Sequence, residues 1–345
     1  MKMPCEKADG GDTRAPASAR TGHWHGWLRH ATTAAFILAV SILLYFLLKD
    51  VQWLEVTTAL QNYAPLTLAM GIGIAACSYF VFSSYDLVGR HYTRHGLGIR
   101  YVLPLAFVCY AFNLNFGAWV GGLALRYRLY SRFGLSMSTV TTILAMSLLT
   151  NWLGYMLVAG GLFSLGLLEL PDSWWIDSGQ LRWVGVLLLV LALSYFLLCA
   201  CAKRRDYSWR QHSITLPSLQ LAAAQALLGV TNWGLMAWLI YLLLPDGVGY
   251  PTVLATLMVS SIAGAITHIP GGIGVFEAIF LGLLQGRYST GELLAALIAY
   301  RGIYFLLPLA IAAVTYLLLE KKAAILRKAP DSDSSVAVPL ARENQ

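Results

Sequence analysis

The sequence predicts an all-α polytopic membrane protein with about six spanning helices, two opposed re-entrant hairpins and halves that could form an inverted repeat. Of its 345 residues, 58% are hydrophobic and 12% are charged, whereas about 25% of the residues of an average soluble domain are charged. Six apolar runs are long enough to cross a hydrocarbon core of about 30 Å. Two further apolar regions are interrupted by Asn, Gly or Pro.

The six uninterrupted runs lie within residues 30–320, which we predict to be one transmembrane domain. Residues 1–29 and 321–345 are polar tails that we expect to be disordered, because they carry few apolar residues that could be buried. The predicted spans are Ala31–Leu48, Ala64–Val88, Met137–Leu168, Val184–Ala202, Leu216–Leu244 and Leu293–Leu319.

The Lys and Arg residues predict the topology. Basic residues before Ala31 place the N-terminus in the cytoplasm, by the positive-inside rule. The interrupted region Tyr101–Leu125 has arginines beyond both of its ends, which favours a hairpin that enters and leaves from the cytoplasm. If Lys321 and Lys322 are also cytoplasmic, the region Val253–Leu284 forms a second hairpin from the outside. Both termini are then cytoplasmic.

This order gives two halves of similar length, residues 31–168 and 182–319, with opposite orientations. Inverted repeats of this kind are common in transporters. Gly122 precedes Arg126 by a few residues, and Gly272 precedes Glu277 by a similar interval, so opposite charges occupy matching positions. The alternative is that six helices and two breaks fit many topologies without any repeat.

The second interrupted region contains the sequence His268-Ile-Pro-Gly-Gly-Ile-Gly-Val-Phe-Glu277. A carboxylate within a membrane segment costs about 2.5 to 3.5 kcal/mol on insertion scales and by default marks a functional site. The break at Gly271, Gly272 and Gly274 would expose backbone N–H groups, which attract phosphate or carboxylate. His268 could relay protons or bind a headgroup. Alternatively, the glycines only permit a kink, and the histidine is satisfied by backbone.

Arg301 lies inside the last predicted span and needs an anion at that depth. Glu277 is one candidate and a lipid phosphate is another, since a guanidinium can bind either. Tyr304 lies one turn further along the same helix. The alternative is an internal Arg301–Glu277 pair that only holds two helices together.

Arg126 and Tyr130 follow the first interrupted region, where they could form a phosphate clamp at headgroup depth; an ordinary cytoplasmic flank is the alternative. Asn113 could line a polar path or simply hydrogen-bond between helices. Asp86 closes the second span, where we expect it to pair with Arg90 at the interface.

Other chemistry has little support in the sequence. The net charge of +7 comes from Lys and Arg residues near the ends of apolar runs, so it indicates topology rather than binding to nucleic acid. The five cysteines have no convincing metal-ligand spacing. No phosphate-binding loop or His-Glu-x-x-His motif is present. We therefore expect no cofactor and no direct use of ATP.

Two motifs resemble a known family. Gly121-Gly-Leu-Ala-Leu-Arg126-Tyr-Arg-Leu-Tyr130-Ser-Arg-Phe-Gly134-Leu-Ser and Pro270-Gly-Gly-Ile-Gly-Val-Phe-Glu277 are similar to the lysylphosphatidylglycerol synthase transmembrane-domain family, and most similar to the flippase part of the multiple peptide resistance factor. The resemblance covers about residues 30–320. It implies a flippase-like inner-membrane protein, whose full-length relatives move aminoacylated phosphatidylglycerol between leaflets. Only a short segment follows Leu319, so the resemblance does not imply a synthase activity.

The leading hypothesis is a flippase for a phospholipid or an aminoacylated phospholipid, with Arg126 and Arg301 holding phosphate. Glu277 would neutralise Arg301 when the site is empty or bind a cationic headgroup. One alternative is an intramembrane enzyme that modifies a lipid headgroup through His268 and Glu277. Another is a partner protein that does not transport. The expected partners are a membrane phospholipid, a separate lipid synthase and further copies of the same chain.

Overall fold

The computed structural model describes residues 53–117, 122–168, 170–171, 177–201, 206–209, 212–267, 269–284 and 286–328. The predicted N-terminal tail, the first predicted span Ala31–Leu48, His268 and the last seventeen residues lie outside this part of the chain.

The described residues are almost entirely helical. In chain order the elements are α1 (Trp53–Gln61), α2 (Pro65–Ser83), α3 (Tyr85–Thr93), α4 (Ile99–Phe116), α5 (Leu125–Arg132), α6 (Met137–Ser164), α7 (Ser178–Cys201), β1 (Asp206–Trp209), β2 (His212–Thr215), α8 (Leu219–Leu243), α9 (Tyr250–Thr267), a 3₁₀ turn (Pro270–Gly272), α10 (Val275–Leu284), α11 (Thr290–Arg301), a π-helical segment (Gly302–Leu306) and α12 (Leu307–Lys328).

The all-α polytopic membrane class is confirmed. By length and composition, seven helical segments of the described chain can cross a membrane. Five of them overlap the predicted spans after the first: α2 with α3, α6, α7, α8, and α11 with α12. The other two are α4 and α9, the first limbs of the interrupted regions, each 18 residues long. A short antiparallel β-hairpin, β1 with β2, joins α7 to α8 and was not predicted.

Several boundaries differ from the sequence prediction. α7 begins at Ser178, six residues before the predicted span. Asp177 caps this start, because its Oδ1 accepts from the backbone N–H of Gln180 over 2.7 Å. α12 continues to Lys328, so residues 321–328 are helical rather than part of a disordered tail. These residues include Lys and Ala, which favour helices, and cations near a helix C-terminus interact well with its dipole.

Local capping explains where several helices begin. The hydroxyls of Ser136 and Ser218 accept hydrogen bonds from backbone N–H groups in the first turns of α6 and α8. Ser289 and Glu292 form a complete capping box at the start of α11. Such caps satisfy N–H groups that have no partner within the helix.

Both interrupted regions are helical hairpins with broken tips. We call α4 with α5 the first hairpin and α9 with α10 the second hairpin; the two limbs pack against each other in each. α4 ends at Gly117 with a φ of +84°, and the second tip contains Gly271 with a φ of +64°. Residues with a Cβ rarely adopt this conformation, so glycine permits the chain to turn at both tips.

The core is centred on α8, which packs against both α6 and α2. Gly154 of α6 faces Gly229 of α8 so closely that a Cβ added to Gly154 would lie 2.4 Å from the Gly229 carbonyl carbon. Close approach between small residues is the usual basis of helix packing in membranes, where the hydrophobic effect does not drive association. α8 also packs on α2, and α7 packs on the outer side of α6.

Candidate functional site

An ion pair joins the second hairpin to the last membrane segment. Glu277 lies in the first turn of α10, and Arg301 is the last residue of α11. The Arg301 Nε donates to Glu277 Oε1, and the backbone N–H of Gly274 donates to Glu277 Oε2 over 2.8 Å. The Glu277 side chain is 9% exposed and that of Arg301 is 19% exposed. The ion pair is therefore largely buried.

The tip of the second hairpin also contacts Arg301 and the first hairpin. Arg301 Nη1 donates to the Gly271 carbonyl over 3.0 Å. A Cβ added to Gly271 would lie 3.4 Å from the carbonyl oxygen of Leu114, near the end of α4. The two hairpin tips therefore meet beside the guanidinium of Arg301. Phe276 and Phe305 flank this guanidinium, with ring centroids 5.8 Å and 5.2 Å from its central carbon.

One nitrogen of the Arg301 guanidinium has no hydrogen-bond acceptor among the described residues. Arg301 Nη2 is buried and has no hydrogen-bond partner within the described part of the chain. A buried donor without an acceptor costs about 1 to 3 kcal/mol, and more when the group is charged. The guanidinium therefore keeps an N–H group that an oxygen atom of a phosphate or a water molecule could accept from once the side chains around it move.

The backbone changes from α-helix to π-helix directly after Arg301, over Gly302–Leu306. Pro308 explains part of this change, because it has no N–H to donate to the carbonyl of Tyr304 four residues earlier, and its ring crowds that carbonyl. The hydroxyl of Tyr79 donates to this carbonyl instead, over 3.0 Å. Asn115 Nδ2 likewise donates to the carbonyl of Phe305 over 3.3 Å.

A cluster of buried polar side chains, which we call the hydroxyl cluster, lies against the π-helical segment. The Tyr304 hydroxyl is 2.8 Å from the Ser78 hydroxyl and 3.0 Å from the Tyr110 hydroxyl. Ser78 also donates to Asn232 Oδ1 over 2.8 Å. These residues come from α2, α4, α8 and the π-helical segment, so the cluster links four elements. Buried polar groups remain stable in this way only when they satisfy one another.

A second buried ion pair joins α3 to α5. Arg126 Nη1 lies 2.9 Å from Asp86 Oδ1, and both side chains are at most 4% exposed. The Tyr130 hydroxyl donates to Asp86 Oδ2. The predicted pairing of Asp86 with Arg90 is therefore wrong: Arg90 Nε donates to the Leu97 carbonyl over 2.8 Å. Asp86 points into the bundle because a buried carboxylate needs a buried cation, which the return limb of the first hairpin supplies.

The predicted site residues thus fall into separate groups. Arg301, Glu277, Gly271 and Gly274 lie together, with Gly272 in the same turn and Tyr304 one turn below. Asn113 is at the tip of the first hairpin, where a Cβ on Gly122 would come within 2.8 Å of its Oδ1.

Arg126 and Tyr130 both contact the buried Asp86 in the protein interior, and neither contacts Arg301. Sequence reasoning missed the parts played by Asp86, Tyr79, Tyr110 and Ser78. Apart from the charge of Asp86 within an apolar region, no local pattern signals them. In the part of the chain that the structure describes, no group of three His, Cys, Asp or Glu residues is placed to hold a metal ion.

Comparison with known proteins gives a consistent family assignment. Residues 33–312 match the family model of the lysylphosphatidylglycerol synthase TM region. The chain is 46% identical to the inner membrane protein YbhN of Escherichia coli K12 over 296 residues, which cover 86% of this chain and 93% of that protein. It is 28% identical to the uncharacterized protein slr0712 of Synechocystis over 76% of this chain and 82% of that protein.

A more distant similarity extends to larger proteins. The chain is 22% identical to the phosphatidylglycerol lysyltransferase of Staphylococcus haemolyticus over 296 residues. The match covers 83% of this chain but 33% of that protein. The similarity therefore applies to one third of the lysyltransferase.

Proposed function

This chain belongs to the family of the lysylphosphatidylglycerol synthase TM region, and from this premise we propose that it is a lipid flippase. Its cargo is a phospholipid or an aminoacylated phospholipid, which it moves between the leaflets of a bacterial inner membrane, with both chain termini in the cytoplasm. Support for the location comes from the inner membrane relative in Escherichia coli. Support for the cargo comes from the chemistry around Arg301.

The observation that carries the proposal is the Arg301–Glu277 pair at the contact between the two hairpin tips. A guanidinium matches the geometry of a phosphate and binds it through two parallel hydrogen bonds. Glu277 occupies one side of this guanidinium, while Nη2 has no acceptor within the described residues. The arrangement is that of an anion receptor whose internal carboxylate stands in for the anion.

Transport then proceeds by exchange of anions. Breaking a buried ion pair without replacement costs about 3 to 5 kcal/mol, because one charge is left without a partner. A lipid phosphate that binds Arg301 as Glu277 withdraws removes most of this cost. The carboxylate released in this way can bind the ammonium group of a zwitterionic or aminoacylated headgroup. The pair therefore opens readily only when cargo is present.

The other predicted residues have supporting roles in this proposal. Gly271, Gly272 and Gly274 allow the backbone to approach the headgroup closely, because they have no Cβ. Tyr304 connects the site to the hydroxyl cluster. Asn113 lies at the tip of the first hairpin. His268, which lies outside the described residues, stays a candidate for headgroup binding from its place in the sequence. Arg126 and Tyr130 bind phosphate only after the Asp86 pair has opened.

The test is leaflet exchange of fluorescent phospholipids in liposomes that contain the purified protein. We expect Arg301→Gln and Glu277→Gln each to lower the exchange rate at least tenfold. Arg287→Gln, which removes an exposed arginine between α10 and α11, is the matched control and should exchange lipid at the wild-type rate. Mass spectrometry of the same lipids shows whether any headgroup has been modified.

The double variant Glu277→Gln/Arg301→Gln separates transport from a purely structural role. If the pair only holds two helices together, two neutral amides can replace it and exchange recovers. If Arg301 binds phosphate, the double variant folds but stays inactive. Wild-type exchange in both single variants, or recovery in the double variant, would disprove the assignment.

A further inference from the structure

An apolar groove of about 460 Å³ lies between α2, α4 and α12, with the π-helical segment at one end. Ile72, Ala76 and Phe80 line it from α2, and Leu307 and Ile311 line it from α12. Ile72, Phe80 and Ile311 are 45% or more exposed, so the groove opens at the apolar surface of helices that are long enough to span a membrane. The volume lies within the range of about 300 to 1,000 Å³ that is usual for ligand pockets.

The groove has the length of one leaflet. Its lining extends along the last membrane segment from Ile303 to Thr315, which at 1.5 Å per residue is about 18 Å. Along α2 it extends from Ile72 to Ser83, or about 16 Å. Half of a hydrocarbon core is about 15 Å thick. One acyl chain of a lipid in a single leaflet therefore matches the groove in length and in polarity.

Two cations lie beyond one end of the groove. Arg100 and Lys322 are exposed, and both approach the ring of Tyr101, at 5.0 Å and 5.1 Å from its centroid. Arg100 lies one turn before Leu103 on α4, and Lys322 lies two turns after Thr315 on α12. Residues at these spacings share a helix face. Arg100 and Lys322 therefore lie on the same helix faces as the residues that line the groove, beyond its end.

These cations have no anion of their own within the described chain, where neither has a carboxylate within 4.0 Å. Arg128 and Arg132 differ from these two cations, because both pair with Glu320. Two like charges around one ring repel each other, and a shared anion would relieve that repulsion. Charge thus favours an anionic ligand at this end and hydrocarbon in the groove.

We propose that this groove is a binding site for an anionic phospholipid from the leaflet at the Lys322 end. One acyl chain occupies the groove, and the phosphate lies between Arg100 and Lys322. The site is separate from the Arg301–Glu277 pair, and its existence does not depend on whether the chain transports lipid.

The experiment uses the full chain in detergent with phosphatidylglycerol that carries a photoactivatable diazirine in one acyl chain, followed by peptide mapping. We expect labelling in the segments Ile72–Ser83 and Ile303–Thr315. Unlabelled phosphatidylglycerol should compete about 25-fold better than phosphatidylcholine, because each Lys or Arg contributes about fivefold to anionic lipid affinity. Arg100→Gln/Lys322→Gln should abolish this preference, and Arg287→Gln should keep it.

Two further variants test the groove itself. Ala76→Phe and Ile311→Trp fill it from opposite walls, and each should lower labelling of these segments at least tenfold. Val190→Phe, on the exposed face of α7, is the control for an added aromatic ring. Unchanged labelling in both filled variants would overturn the acyl site, and equal competition by the two lipids would overturn the anionic headgroup. Neither result depends on the leaflet-exchange assay.

Discussion

The buried ion pair of Asp86 and Arg126 matters for stability mainly because removing one partner leaves the other charge buried alone. Taking two charges out of water is expensive, and their attraction often does no more than offset that cost. Removing one partner is different, because the other charge then remains buried alone. Asp86 forms an ion pair with Arg126 and accepts a hydrogen bond from Tyr130. Loss of this carboxylate therefore leaves a buried cation without its counterion and a buried hydroxyl without its acceptor.

We expect Arg126→Gln and Asp86→Asn each to lower the free energy of unfolding by about 3 to 5 kcal/mol. The measurement is equilibrium or thermal unfolding of the purified protein in detergent. Arg128→Gln is the control, since its side chain is 56% exposed in its pair with Glu320 and such pairs contribute about 0 to 1 kcal/mol. Equal effects of Arg126→Gln and Arg128→Gln would contradict the prediction.

For single residues, the sequence predicts which charged side chains need a counterion better than it predicts which residue supplies it. A carboxylate and a guanidinium inside apolar segments indicate that each needs a counterion, and the Glu277–Arg301 pair was one of the options. Asp86 and Arg126 are 40 residues apart in the chain, and nothing in their spacing indicates that they meet. Their pairing depends on how the return limb of the first hairpin packs.

The π-helical segment is the element whose geometry bears most directly on the site. It follows Arg301, and its carbonyls at Tyr304 and Phe305 receive hydrogen bonds from other helices. Backbone hydrogen bonds in a π-helical turn join residues five apart, instead of four apart as in an α-helix. Such turns occur frequently at functional sites. Changing it to α-helix would rotate Arg301 relative to α12.

Pro308→Ala restores a backbone N–H opposite the Tyr304 carbonyl, which favours α-helix through Gly302–Leu306. We expect the melting temperature to stay the same or rise, while leaflet exchange falls by about tenfold as Arg301 moves away from Glu277. Pro104→Ala, the same change inside α4, should leave exchange near the wild-type rate. Full exchange by Pro308→Ala would show that the π-helical geometry is dispensable.

Apolar length and glycine position predict the helices and their breaks with good accuracy. The interrupted regions are broken at Gly117 and Gly271, as their glycine content indicates. The break between α2 and α3 at Ser84 and the π-helical segment were not predicted. At the first break, the Ser84 hydroxyl donates to the Phe80 carbonyl. The π-helical segment depends on Pro308 and on hydrogen bonds from Tyr79 and Asn115. A hydropathy pattern contains neither kind of information.

Across the whole molecule, helix contacts recur between the two halves. α4 of the first hairpin packs on α12, and α9 of the second hairpin packs on α6. Likewise α3 packs on α6, and α8 packs on α11. In the proposed halves, residues 31–168 and 182–319, α3 corresponds to α8, α4 corresponds to α9, and α6 corresponds to α11 with α12. Exchanging the halves therefore turns the first contact of each pair into the second. We therefore propose that the halves are inverted repeats whose axis passes near the contact of α2 with α8.

This proposal makes a prediction about topology. Reporters of membrane side, fused after Arg132 and after Tyr288, should report opposite sides, with Arg132 in the cytoplasm. The reason is that the two hairpins enter from opposite faces in an inverted repeat. A fusion after Lys322 should match Arg132 and serves as the control. A cytoplasmic Tyr288 or an external Arg132 would exclude the double-hairpin topology.

The membrane class follows from the sequence because apolar length and hydrophobicity decide it. The family follows from the resemblance of two glycine-rich motifs and not from hydrophobicity. The hydroxyl cluster does not follow, since four elements bring Ser78, Tyr110, Asn232 and Tyr304 together only in the folded chain. Serine, tyrosine and asparagine in apolar helices have many roles. Their individual positions therefore carry little information before the packing is known.

The hydroxyl cluster also constrains how this protein can change in evolution or in the laboratory. Removing one hydroxyl leaves its neighbours without partners, whereas replacing the whole set by apolar groups of similar shape can be nearly neutral. Every single-substitution path to the apolar version thus passes through intermediates that fold less well. Strong epistasis among Ser78, Tyr110, Asn232 and Tyr304 is the consequence, and a redesign of this core has to exchange all four at once.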